Sequence, residues 1–191
     1  MTTKVDDKNI INFIENIYYK IGDNLLPTLK KYNITPNQLT ILGIFTGLIS
    51  CYYLYEGKFL YSFIFLIIST FLDCLDGHYA RKYKLSSKLG HYLDHIGDVF
   101  KFIVLLYVLY HKYYNEIYDI KYILLILIIL NLIHDNCTYL YTSKTERYGV
   151  NTKLCVFPEK YRKNIMYITA HFTNTSILVI IYLYIFYKVK N

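Results

Sequence analysis

The sequence predicts an all-α, polytopic membrane helix bundle that opens with an amphipathic helix lying on the membrane surface. Three observations carry this. The 191 residues are 54% hydrophobic and only 18% charged, whereas a soluble domain carries about 25% charged residues. Five segments approach the roughly 20 mostly apolar residues that a membrane-crossing helix needs. Basic residues gather in alternate connections between those segments, as they do on the cytoplasmic side of membrane proteins.

The elements follow in order. Ile10, Ile11, Phe13, Ile14, Ile17, Tyr18 and Ile21 recur at helical spacing. That stripe predicts the interfacial helix, and an ordinary packing helix would show the same periodicity. Residues 1–35 are therefore read as an N-terminal interfacial segment and 36–191 as the membrane domain. The predicted spans are 38–55, 59–81, 88–111, 120–141 and 164–187, with the tight turn Glu56-Gly57-Lys58 between the first two. Residues 142–163 are polar and carry six basic side chains, Lys144, Arg147, Lys153, Lys160, Arg162 and Lys163. Such a stretch reads as a solvated loop beside lipid, with anionic lipid or an acceptor phosphate as its functional alternative.

Orientation follows from the connections. Lys30 and Lys31 precede the first span, and Arg81, Lys82, Lys84 and Lys88 cluster between the second and third. The N-terminus and the 82–88 link are expected on the cytoplasmic face of a multi-pass protein. The net charge of +7 then suits an anionic membrane face rather than nucleic acid. The 24 tyrosines suit the water–lipid boundary, where a ring is apolar and its hydroxyl is wet. Cys51, Cys74, Cys137 and Cys155 are scattered and form no C-x-x-C pair, so they read as reduced thiols. Glycosylation is not expected at Asn33, Asn136 or Asn174, two of which lie in or beside apolar spans. The N-terminus shows no cleavable signal pattern.

Charge inside lipid needs a reason, because an ionised side chain at mid-bilayer costs about 2.5–3.5 kcal/mol on insertion scales. Asp73 and Asp76 sit near the cytoplasmic end of the second span, and Asp94 and Asp98 in the third. The i, i+3 and i, i+4 spacings place each pair on one helix face, the second pair about 6 Å apart along the axis. A short basic link makes the two helices antiparallel, so the pairs can converge. Four carboxylates with no matching cations would repel, and divalent metal removes that repulsion. Oxygen-only ligation favours Mg²⁺ or Mn²⁺ over zinc. Gly77 lets a phosphate or nucleotide approach the backbone, Arg81 offers a planar fork to phosphate oxygens, and Gly90 lets its helix pack tightly.

Residues 73–98 read DCLDGHYARKYKLSSKLGHYLDHIGD. This resembles the signature of the class I CDP-alcohol phosphatidyltransferases, D-x2-D-G-x2-A-R-x8-G-x3-D-x3-D, at every fixed position: Asp73, Asp76, Gly77, Ala80, Arg81, Gly90, Asp94 and Asp98. Upstream, Pro36-Asn37-Gln38-Leu39-Thr40 resembles the P-N-x-x-T that opens the family's first membrane helix. The resemblance implies two divalent ions, Mg²⁺ or Mn²⁺, held against the diphosphate of a CDP-linked donor. It implies Asp73, Asp76 and Asp94 as metal ligands, and Asp98 as both a ligand and the base that takes the proton of the attacking alcohol. Asn37, Thr40, Gly77, Ala80, Arg81 and Ser87 would hold the CDP moiety. The implied partners are a CDP-linked lipid or alcohol donor, an alcohol acceptor, membrane lipid and a second copy in a homodimer. The family usually has six membrane helices and five are counted here, so five to six spans are expected.

Other readings stay beside this one. An intramembrane prenyltransferase would place its acidic motifs in well-separated helices, unlike the compact D-G…A-R block. A divalent-cation transporter or lipid-binding protein would leave Gly77, Arg81 and Asp98 without a purpose. Within the family, Asp76-Gly77-His78 resembles phosphatidylinositol synthases, Asp94-His95 with Asp98 resembles choline and ethanolamine phosphotransferases, and the D-P-x-A-D form of the glycerophosphate enzymes is absent. His91 and His95 are i, i+4 and could ligate zinc, but they read better as hydrogen-bonding or substrate contacts. His78, His134 and His171 read as polar packing groups. Lys101 could meet a phosphate or the acceptor, or pair with Asp98.

Overall fold

The structure, a computed structural model, describes residues 13–142, 161 and 174–190. Apart from Thr142 and Tyr161, the basic stretch 142–163 lies outside the described residues. So do Ile10, Ile11 and the first part of the last predicted span, and nothing is described of the His134, His171, Cys137 and Cys155 side chains.

Among the described residues there are seven helices and no strand: α1 Phe13–Lys31, α2 Pro36–Tyr55, α3 Phe59–Lys82, α4 Lys88–Lys112, α5 Tyr114–Asp119, α6 Lys121–Thr142 and α7 Asn174–Lys190. The chain divides into two compact units, one of residues 14–119 and 184–191, the other of 1–13 and 120–183. All the candidate site residues fall in the first. In the second, Leu127 and Asn131 of α6 and Ile177, Ile181 and Tyr182 of α7 are buried.

Local chemistry sets where the first helices begin and end. Thr35 caps α2: its hydroxyl accepts from Gln38 N at 3.4 Å while Gln38 Oε1 accepts from Thr35 N at 2.8 Å. This reciprocal box, with Pro36 at the first helical position, is a strong start signal. Ser87 caps α4, its Oγ accepting from Gly90 N at 3.0 Å. Helices α1, α2 and α3 each end on a left-handed residue, Asn33, Gly57 and Lys84. In each case the next residue's N–H reaches back to a carbonyl of the last turn: Ile34 to Leu29, Lys58 to Tyr53 and Leu85 to Ala80. These are paired C-terminal hydrogen bonds of the Schellman type.

Short connections make α3 antiparallel to α2 and α4 parallel to α2. Small residues line the seams. Ser50 Oγ donates to Ser62 O at 2.8 Å and Ser62 Oγ to Ser50 O at 2.7 Å. Ser69 Oγ donates to Gly43 O at 2.8 Å. In helices set in lipid, such small polar residues allow close backbone approach and supply hydrogen bonds between helices. On the α2–α4 seam, a Cβ at Gly97 would meet the Ile44 side chain. Gly97→Val is therefore expected to cost about 1–3 kcal/mol through overpacking. A thermal melt in detergent would show the loss, and adding Ile44→Ala should recover part of it.

Helix α1 runs further than its apolar stripe predicts and packs against α3. Tyr18, Gly22 and Leu26, one turn apart, are buried. Tyr18 meets Phe71 edge-on at 5.4 Å and Thr70 Oγ1 at 3.3 Å, and Leu26 joins Leu39, Leu72, Leu75 and Tyr79 in a core. The neighbouring stripe of Ile17, Ile21 and Leu25 stays exposed.

Of the predicted spans, two described helices, α2 and α3, are both long and apolar enough to cross a bilayer. Only 44% and 33% of their apolar windows are buried within the protein, so most of each presents apolar surface outward, as a membrane helix does. Helix α4 has the length, but Asp94, Asp98 and Lys101 interrupt its apolar run.

Candidate active site

Helix α2 packs against both α3 and α4, and α3 meets α4 through side chains at the site, so the two aspartates of α3 divide between α2 and α4. Positions three apart on a helix differ by about 60° around the axis. Asp73 faces Lys101 of α4, while Asp76 faces Thr40 of α2. A carboxylate oxygen from each of Asp73, Asp94 and Asp98 lies within 4.8 Å of the other two. Among the described residues this is the one group of three or more His, Cys, Asp or Glu side chains placed to share an ion.

The donor set fits a hard divalent cation. Two oxygens on opposite sides of one Mg²⁺, each at about 2.1 Å, are about 4.2 Å apart. Two at a right angle are about 3.0 Å apart, and only one pair among three ligands can be opposite, so carboxylates within 4.8 Å of one another draw together by up to about 2 Å around one ion. Their partial exposure, 39% for the Asp73 side chain and 48% for Asp98, leaves a path for an ion and for substrate.

Lys101 reaches into this group. Its Nζ lies 2.8 Å from Asp98 Oδ1 and 3.3 Å from Asp73 Oδ1. Gly47 of α2 makes the reach possible, since a Cβ there would stand 2.7 Å from Lys101 Cδ and 2.9 Å from Ser69 Oγ. Both readings of Lys101 were open in the sequence, and the structure adds a pairing with Asp73 that spacing did not suggest.

Asp76 is buried, and the Thr40 hydroxyl donates to it. The same hydroxyl lies 3.2 Å from Pro36 O, so one proton serves two acceptors, of which a carboxylate is the stronger. The α2 capping box sets Thr40 and Asn37 at the mouth of the group. A Cβ at Gly90 would stand 2.7 Å from Asn37 Oδ1, so glycine there lets the first turn of α4 pass the Asn37 side chain.

Arg81 folds back over Gly77: a Cβ there would be 3.1 Å from Arg81 Nη1. The open backbone expected to receive a phosphate is thus covered by the guanidinium that would bind it. Ser87 serves as the α4 cap, and the Ala80 carbonyl accepts the hydrogen bond that closes the end of α3. The two histidines of α4 pack edge to face, with centroids 4.3 Å apart for His91 and His95.

Four residues outside the fixed motif positions, Tyr19, Asp23, His78 and Lys82, complete the rim. Asp23 Oδ1 of α1 accepts from Lys82 Nζ at 2.7 Å and from His78 Nε2 at 2.8 Å. Lys82 first, then His78, hold the Asp23 carboxyl below the ordinary carboxylate range. Tyr19, one turn before Asp23, packs on the His78 ring at 4.8 Å and accepts from Arg81 Nη2 at 3.4 Å. Their only sequence signal is matched i, i+4 spacing, Tyr19 with Asp23 on α1 and His78 with Lys82 on α3.

Known proteins resemble this chain in sequence. A family model described as CDP-alcohol phosphatidyltransferase matches residues 33–189. An uncharacterised protein of Aquifex aeolicus is 30% identical over 83 residues, 44% of this chain and 42% of its own length. The archaetidylinositol phosphate synthase of Pyrococcus horikoshii is 43% identical over 67 residues, 35% of this chain and 36% of its own. The CDP-diacylglycerol–glycerol-3-phosphate 3-phosphatidyltransferase of Aquifex aeolicus is 33% identical over 72 residues, 37% of this chain and 40% of its own. The aligned part thus spans about two fifths of the length of these relatives.

Proposed function

Because the chain belongs to the CDP-alcohol phosphatidyltransferase family, we propose that it transfers a substituted phosphate group from a CDP-linked donor to an alcohol, releasing CMP, as a step in phospholipid synthesis. The observation that carries this is the convergence of Asp73, Asp94 and Asp98 beside the turns of α3 that bear Gly77 and Arg81.

Asp73, Asp94 and Asp98, with Asp76, would hold Mg²⁺ or Mn²⁺, two ions in all, which supply charge stabilisation at the diphosphate and at the leaving oxygen. The protein's own groups do the rest. Asp98, half exposed, takes the proton from the attacking hydroxyl as the alcohol oxygen bonds to phosphorus and the bond to CMP breaks. Arg81 leaves its place over Gly77 and grips phosphate oxygens with its fork. Thr40 holds Asp76 in one orientation. Asn37, Gly77, Ala80 and Ser87 border the CDP moiety. On this reading residues 36–191 form the catalytic membrane domain, with five or six spans and the 1–35 segment at the interface. The basic link between α3 and α4 supports a site at the cytoplasmic face.

The names of two relatives favour one branch of donors. One is named for CDP-diacylglycerol and glycerol 3-phosphate, and the other for the synthesis of archaetidylinositol phosphate. A CDP-linked lipid as donor and a phosphorylated alcohol as acceptor therefore come ahead of a CDP-amino alcohol acting on diacylglycerol. The experiment is a screen of purified protein with Mg²⁺ or Mn²⁺. CDP-diacylglycerol is paired with glycerol 3-phosphate, inositol phosphate, inositol or serine, and CDP-choline or CDP-ethanolamine with diacylglycerol. CMP release is expected with a phosphorylated alcohol. No CMP above an Asp98→Asn control with any pair would remove the enzymatic reading.

A further inference from the structure

Lys101 stands between two of the carboxylates proposed to hold metal, and its stem fills the gap left by Gly47. An ammonium there does electrostatically what a divalent ion would do, with half the charge. We infer that Lys101 is a resident counter-ion of the Asp73–Asp98 pair, which a divalent ion must displace to enter that side of the site. This rests on the metal reading above and deepens it.

Charge counting gives the consequence. Three carboxylates against one ammonium leave a formal charge of −2, which a single divalent ion cancels. Counting Asp76 as well, one ion brings the group to within one charge of neutrality. A second ion would then overshoot unless something moves or arrives. The ammonium withdraws, or the diphosphate of the substrate brings further negative charge. Without substrate, the site therefore holds one ion firmly and a second one weakly. Lys101 is a positioning residue on this view: it keeps Asp73 and Asp98 apart in charge but together in space while the second position is empty.

The test uses the full-length protein in detergent, stripped with chelator, without substrate. Mn²⁺ binding is followed by the loss of the free-ion resonance signal, and stability by thermal melting. Lys101→Met keeps the length of the stem and removes the charge. It is expected to bind the weaker Mn²⁺ at least tenfold more tightly than wild type. Its metal-free melting temperature should fall, and Mn²⁺ should raise it by more than it raises that of wild type. Adding Asp98→Asn should restore much of the metal-free loss, which a packing role for the stem would not allow. Equal Mn²⁺ affinity in both proteins, or a double variant as unstable as Lys101→Met, would overturn the inference alone. Absence of Mn²⁺ binding in both would overturn the metal reading and this inference with it.

Discussion

Asp98→Asn is expected to lower CMP release by about 10³-fold while leaving the fold intact. The substitution keeps the size and shape of the side chain. It removes the capacity to take a proton, worth about 10²–10⁴-fold in catalysis, and weakens ligation of a hard cation. Lys101 keeps a partner in Asp73, 3.3 Å away, so the ammonium is not stranded. The change also removes one of several like charges, and stability should not fall. CMP release under saturating donor and acceptor, alongside a thermal melt, checks both halves. A rate within tenfold of wild type would take Asp98 out of the chemistry.

Asp76→Ala is the second large effect, and its comparison with Thr40→Val separates chemistry from structure. Asp76 is 7% exposed and accepts a hydrogen bond from Thr40. Losing the carboxylate should reduce turnover beyond the 10–100-fold typical of groups that only support a ligand. It should cost little stability, because Thr40 keeps Pro36 O as an acceptor at 3.2 Å. Thr40→Val does the reverse to the pair. It leaves a buried carboxylate without that donor, at a cost of about 1–3 kcal/mol. Thermal melts should therefore rank Thr40→Val below Asp76→Ala, although both lose turnover. Unchanged turnover in Asp76→Ala would remove it from the metal assignment.

The D-G…A-R block was legible because its spacing is fixed along two helices joined by a short link, and helical phase does the rest. Phase also explains where the reading stopped. Asp73 and Asp76 share a face by the i, i+3 rule, yet the 60° between them points one at α4 and the other at α2. Only the bundle, with α2 packed on α3 and the side chains of α4 reaching across to it, turns that angle into two environments. The pairing of Lys101 with Asp73 depends on the parallel register of α2 and α4 and on the missing side chain at Gly47, which no local spacing encodes. Helix α1 shows the limit of periodicity itself. An apolar stripe states that a face is hidden from water, not whether lipid or protein hides it. Here Tyr18 meets α3 while Ile17 and Ile21 stay exposed. Tyr19, Asp23 and Lys82 were missed because a rim of paired polar residues looks, in sequence, like any solvated helix surface.

The most direct measurement is CMP release from CDP-diacylglycerol by the purified protein in lipid vesicles, first stripped with chelator and then titrated with Mn²⁺, with glycerol 3-phosphate or inositol phosphate as acceptor. The expected result is no release from stripped protein, recovery as Mn²⁺ is restored, and no recovery in Asp98→Asn. Release that persists after stripping, or that returns equally in Asp98→Asn, would contradict a metal-dependent site built on Asp73, Asp94 and Asp98.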